Sequence, residues 1–206
     1  MPIRQGHFTK KFDKRGVMQM KQDASKSTEW LRDQVVKLAH GEMQVKQVPS
    51  SKRYTKQGDY HSNVLRLGSM YFFIYDPKHK ATLPYYDKFP LIFPVRYYND
   101  GFLGMNLHYL PPVYRIKVLD QLYDIFEDRG MTDVKKYKLT ASMINGLSSI
   151  EELKPCIKRY LGPHVQSLFM PVPPEDWHYS VLLSAENFEK ASKSKVWSDS
   201  LAMIGK

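Results

Sequence analysis

Between Met70 and Leu110 the chain runs through short, ring-rich apolar segments punctuated by prolines at 77, 84, 90 and 94, with Asn99-Asp100-Gly101 between two of them. Proline lacks the ladder donor and restricts the residue before it, so strands here are short and end at fixed places. Three strands are predicted. The first, Met70–Asp76, stops at Asp76-Pro77; the second, Pro90–Tyr98, contains Pro94 and so needs a sheet edge or a bulge; the third is Phe102–Leu110. Asn, Asp and Gly tolerate positive φ cheaply, which predicts a hairpin turn between the second and third strands. In a strand, Asn106 and His108 share one face and Leu107 and Tyr109 the other.

The rings of this segment are expected to alternate into the interior of a small barrel, Phe93, Phe102 and Tyr109 among them. A small barrel cannot hide every ring. Tyr85, Tyr86, Phe89, Tyr97 and Tyr98, with Trp197 near the C-terminus, are read as the surplus that docks neighbouring subunits.

The remaining chain supplies helices. Pro111-Pro112 opens one in which Ile116, Leu119, Leu122, Tyr123 and Phe126 recur at helical spacing until Gly130. A helical stretch through residues 140–162 is expected to break at Gly146 and Pro155. Val165–Val172 reads as a fourth strand, Trp177–Leu183 as a fifth strand or a turn into one. The tail around Val196, Trp197, Leu201 and Ile204 reads as an amphipathic clasp. The expected class is α+β: an SH3-like β-barrel with a helical insertion at about 111–163 and a C-terminal clasp, within residues 69–206. Residues 1–68 form a basic arm with one helix, Ser27–His40.

Charge falls mainly on that arm. Of the formal +10, residues 1–60 carry +7, thirteen Lys and Arg against six Asp and Glu. Such a stretch suits a polyanion or an acidic protein. Lys10, Lys11, Lys14 and Arg15 precede the first helix. Lys52, Arg53 and Lys56 follow it and are interleaved with Tyr54, the mix in which cations meet phosphates and rings stack on bases. Two partners stay open: double-stranded DNA, or an acidic neighbouring subunit.

Catalytic chemistry finds little support. The seven histidines are scattered without HxxxH or HxH spacing, and the one cysteine, Cys156, excludes an intrachain disulfide and a thiolate zinc site. Lys154 to Lys158 reads as the start of a short helix with Cys156 as buried filler. Asp133-Val134-Lys135 has the D-x-K spacing of some metal nucleases but is expected in a polar loop. No P-loop, GxGxxG, GxSxG or HExxH occurs. No catalytic residue, metal or cofactor is assigned, and neither a secretory signal nor a membrane span of ~18 apolar residues is read.

Three blocks carry a likeness: Tyr75–Lys78 with Leu83–Leu91, Gly101–Pro111, and Lys154–Leu161. In these the chain resembles virion-associated proteins of T4-like and related contractile-tailed bacteriophages, over roughly residues 70–206. The resemblance implies a non-enzymatic virion protein within a hetero-oligomeric assembly, made in the host cytoplasm and contacting other virion proteins. It implies either a head-completion or DNA-end-protecting part near the head–tail junction, or a tail or baseplate part making only protein contacts. It transfers no catalytic residue.

Overall fold

The computed structural model describes residues 65–167, 169–182 and 185–204, together with Lys26 and Glu29, both helical. The expected arm and most of its helix lie outside the described residues.

Among the described residues seven strands and four α-helices follow one another from Met70. The strands are β1 (Met70–Phe72), β2 (Tyr86–Asp87), β3 (Leu91–Tyr98), β4 (Gly101–Asn106), β5 (Ile157–Leu161), β6 (Met170–Val172) and β7 (Phe188–Glu189). The helices are α1 (Pro112–Glu127), α2 (Asp133–Leu147), α3 (Trp177–Leu182) and α4 (Lys193–Ile204). Five strands form one antiparallel sheet in the order β5-β4-β3-β1-β6, and β2 pairs with β7 in a separate two-stranded ribbon. The expected SH3-like barrel is not what these residues form. The sheet stays open, with β5 and β6 as its edges. The reason lies in strand length: β1 and β6 hold three residues each, too short to curl round and meet β5.

The hairpin prediction holds. Asn99 and Asp100 make the turn from β3 to β4, and Gly101 is needed there because a Cβ would stand 2.0 Å from the carbonyl oxygen of Tyr160. Pro94 sits at a register shift in the β3–β4 ladder, the bulge that was one of its two expected settings. β1 pairs only with Leu91 and Ile92 of β3, so the missing amide of Pro94 costs no bond on that side.

Side-chain alternation gives the sheet two packed faces. Met70, Phe72, Leu91, Phe93 and Met105 join Val118, Leu119, Leu122 and Trp177 in the larger core, which the helices cover. Tyr71, Phe73, Tyr75, Ile92, Phe102, Tyr160 and Phe169 form a second core on the other face. Phe73 is its hub, edge-on to Phe102, Tyr160 and Phe169 at ring-centroid distances of 5.9, 5.2 and 5.0 Å. Such pairs add about 0.5–1.5 kcal/mol each beyond area burial. The aromatic richness of this segment therefore serves two cores.

Three local expectations are corrected. Phe102–Leu110 is not one strand: β4 ends at Asn106 and Leu107–Tyr109 is a 3-10 turn, because the Asn106 Oδ1 accepts from the His108 amide at 2.9 Å and starts a turn. Lys154–Lys158 is not a helix start. Pro155 lies inside a 3-10 segment, Glu151–Cys156, after which the chain leaves as β5, the edge strand on β4. Trp177–Leu182 is helical, its indole buried against Phe93 and Phe126 and its Nε1 donating to the Val172 carbonyl at 3.1 Å.

Candidate functional site

The sharpest chemistry among the described residues is a buried polar junction where β2, β4, the 107–109 turn, α1 and α4 converge. Asp87 is brought there by the β2–β7 ribbon. Its Oδ2 accepts from Asn106 Nδ2 at 3.0 Å and lies 2.8 Å from His108 Nδ1, while its Oδ1 accepts from the amides of Phe89 (3.0 Å) and Asn187 (3.3 Å). Burial alone would raise this carboxyl, but the interaction with His108 and the donated hydrogen bonds outweigh it and hold the group below its ordinary value. Asn106 Nδ2 also reaches the Tyr160 hydroxyl at 3.1 Å, which ties the junction to the second core.

Arg115 enters from α1 on the stripe that also carries Leu119 and Leu122. Fully buried, it donates from Nε to the Leu110 carbonyl at 2.7 Å and pairs with Glu186, whose carboxyl it draws down against the upward push of burial. The His108 carbonyl then accepts from the Trp197 indole at 2.9 Å, latching α4 onto the turn. Each segment alone would bury an unmet polar group; together they satisfy most of them. Two atoms, His108 Nε2 and Arg115 Nη1, have no hydrogen-bond partner among the described residues.

This arrangement locks chain segments and gives no access to a solvent-borne substrate, since Asp87, His108 and Arg115 are all closed from solvent. Cys156 is likewise buried, its thiol pushed up to about 12 and so held protonated. Asp133 and Lys135 do not lie in a loop as expected. They open α2, where residues two apart point to different sides, so the D-x-K pair does not converge on one point.

The predicted docking rings are found in varied settings. Tyr98 is exposed and lies under the Arg159 guanidinium at 4.2 Å. Tyr85, Tyr86, Phe89, Tyr97 and Trp197 are all half-buried. Phe89 stacks on Phe72 at 5.0 Å, Tyr85 packs near Tyr109 and Phe188, and Tyr97 donates to the Leu65 carbonyl. The clasp therefore closes on its own chain through Trp197. The basic candidates Lys10, Lys11, Lys14, Arg15, Lys52, Arg53, Tyr54 and Lys56 lie outside the described residues. Arg115 and Glu186 escaped the sequence reading, although a charged residue on an apolar helical stripe was the available signal.

Among the described residues no helix is long and apolar enough to cross a membrane. No curated protein and no solved structure matches the chain. A family model described as phage T4 terminal DNA protecting protein matches residues 6–201, a span that takes in the basic arm as well as the three blocks noted above. The chain belongs to the phage T4 terminal DNA protecting protein family.

Proposed function

We propose that this protein is a non-enzymatic virion component that binds the ends of duplex DNA and shields them, docked on neighbouring subunits near the head–tail junction. The observation that carries the reading is the family match from residue 6 to residue 201. That span takes in the residues of the arm, where the sequence blocks alone reached back only to about residue 70. In this reading the arm supplies phosphate contacts through Lys10, Lys11, Lys14, Arg15, Lys52, Arg53 and Lys56, with Tyr54 stacking on a base. The domain is a rigid mount. Its polar junction and two cores fix the arm's point of attachment, and rings such as Tyr98 meet neighbouring virion proteins.

A protection assay tests the reading. A blunt linear duplex preincubated with the full chain is expected to resist a processive exonuclease, while a nicked circle gains no comparable protection. Equal degradation with and without the protein contradicts DNA-end shielding, and leaves the tail or baseplate alternative with protein contacts only.

A further inference from the structure

Helix α2 has one face packed and one face bare. Thr140 and Ile144 are buried, and the helix leans on α1 and β3. Turned away from them are Lys135, Lys138, Leu139, Ser142, Asn145 and Gly146, all exposed. Their spacing of three and four residues puts them in one stripe along the outer face. From Val134 to Ser149 the sequence contains no carboxylate.

The lysines of this helix are not equivalent. Lys136 turns inward and donates to the Phe126 carbonyl at 2.7 Å. Lys135 and Lys138 make no hydrogen bond or ion pair among the described residues. Toward the C-terminal end the stripe becomes small and polar, and a Cβ at Gly146 would meet nothing within 4 Å. A helical stripe without carboxylates, with two ammonium groups and short side chains toward its C-terminal end, lets a phosphate backbone approach closely. At 1.5 Å per residue the stripe runs about 15 Å, long enough to meet several phosphates of a duplex that carries one charge per ~1.7 Å.

A second observation ties this face to the basic arm. The described fold begins at Leu65, in the second core, and meets α2 at Arg66 and Gly68. The Arg66 guanidinium lies 4.7 Å from the centre of the Tyr137 ring. Gly68, with φ at +83°, is pressed so close that a Cβ would stand 2.3 Å from the Tyr137 carbonyl oxygen. The root of the arm is thereby fixed to the helix whose outer face is basic, and Lys52, Arg53 and Lys56 lie within fourteen residues of Arg66.

We infer that the outer face of α2, through Lys135 and Lys138, is a sequence-independent docking surface for the DNA phosphate backbone. The inference rests on the DNA-binding reading above. Leu139 and exposed Val134 on the same helix would equally suit a protein partner, and the test separates the two.

The full chain is titrated against a blunt duplex over a range of salt, as wild type, as Lys135→Ala/Lys138→Ala, and as a control Lys78→Ala/Lys117→Ala that removes the same charge elsewhere. Each phosphate contact contributes about 0.9 to the slope of log K against log salt. The α2 variant is expected to lower that slope by about 1.8, with folding unchanged by circular dichroism, while the control leaves it near the wild-type value. A slope unchanged in the α2 variant, or lowered equally in the control, overturns the α2 assignment and leaves DNA binding by the arm intact. Absence of wild-type binding at low salt overturns both readings.

Discussion

Asp87 and His108 stand twenty-one residues apart in sequence and 2.8 Å apart in space, both shut off from solvent. Neither belongs to a catalytic arrangement with a route to the surface. Their contact joins the β2–β7 ribbon to the end of β4, and through the His108 carbonyl it reaches α4.

The pair makes stability depend on acid. Asp87 has its carboxyl held below the ordinary value of about 3.9, so its contribution is present at neutral pH and is lost as pH falls through the lower folded value. Glu186, drawn down by Arg115, adds in the same direction. Denaturant titrations from pH 7 to pH 2 are expected to show stability falling below about pH 4. Asp87→Asn is expected to cost about 3–5 kcal/mol at pH 7 and to flatten that fall. An acid limb as steep in the variant as in wild type contradicts the assignment.

Gly101 admits no side chain. A Cβ there meets the Tyr160 carbonyl at 2.0 Å and the Gly162 amide nitrogen at 2.9 Å, both backbone atoms of or beside β5. Gly101→Ala must push β5 off β4 and is expected to destabilise by about 2–4 kcal/mol, read as a lowered unfolding midpoint. Gly146→Ala, in open space on a helix, is expected to be neutral or to stabilise by up to about 1 kcal/mol.

Cys156 reports unfolding. Its thiol is buried with its ionisation pushed up to about 12, so a neutral alkylating reagent at pH 8 is expected to leave the folded chain unlabelled over hours. Labelling should appear with the same denaturant midpoint as the loss of ellipticity. Rapid labelling of the native protein would show that the 151–156 segment opens on its own.

The Trp197 indole is the latch of α4. Trp197→Phe keeps an aromatic ring, smaller than the indole, and removes the donor to the His108 carbonyl, at an expected cost of about 1 kcal/mol; Trp197→Ala loses most of the packing as well and is expected to cost about 3 kcal/mol or more. Limited proteolysis should then cut within 193–204 in the alanine variant first. Equal resistance in all three proteins contradicts the latch.

Much of the sheet was readable in the sequence because its signals are local. Asn99-Asp100-Gly101 dictates a turn whatever surrounds it, and Pro94, with no amide to give, calls for a sheet edge or a bulge, of which the fold uses the bulge. The apolar stripe of α1 was equally plain. What failed depended on distant partners. Asn106 ends β4 because its side chain caps the next turn, which strand alternation cannot reveal. β5 was hidden since its strand character comes from pairing with β4. The barrel expectation followed from counting rings, whereas the second aromatic core lies across an open sheet. Of the polar junction, Asn106 and His108 were expected together on one strand face, but Asp87, Arg115 and Glu186 could not be joined to them without the fold.

In the proposed function this chain holds DNA ends by charge. The most direct measurement compares the affinity of the full chain for a blunt linear duplex with that for a closed circle of the same sequence, across a salt series. Tighter binding to the linear form is expected, with log K falling linearly with log salt. Lys52→Ala/Arg53→Ala/Lys56→Ala is predicted to take about 2.7 from the slope. Equal affinity for the two forms, or an affinity indifferent to salt, would contradict it.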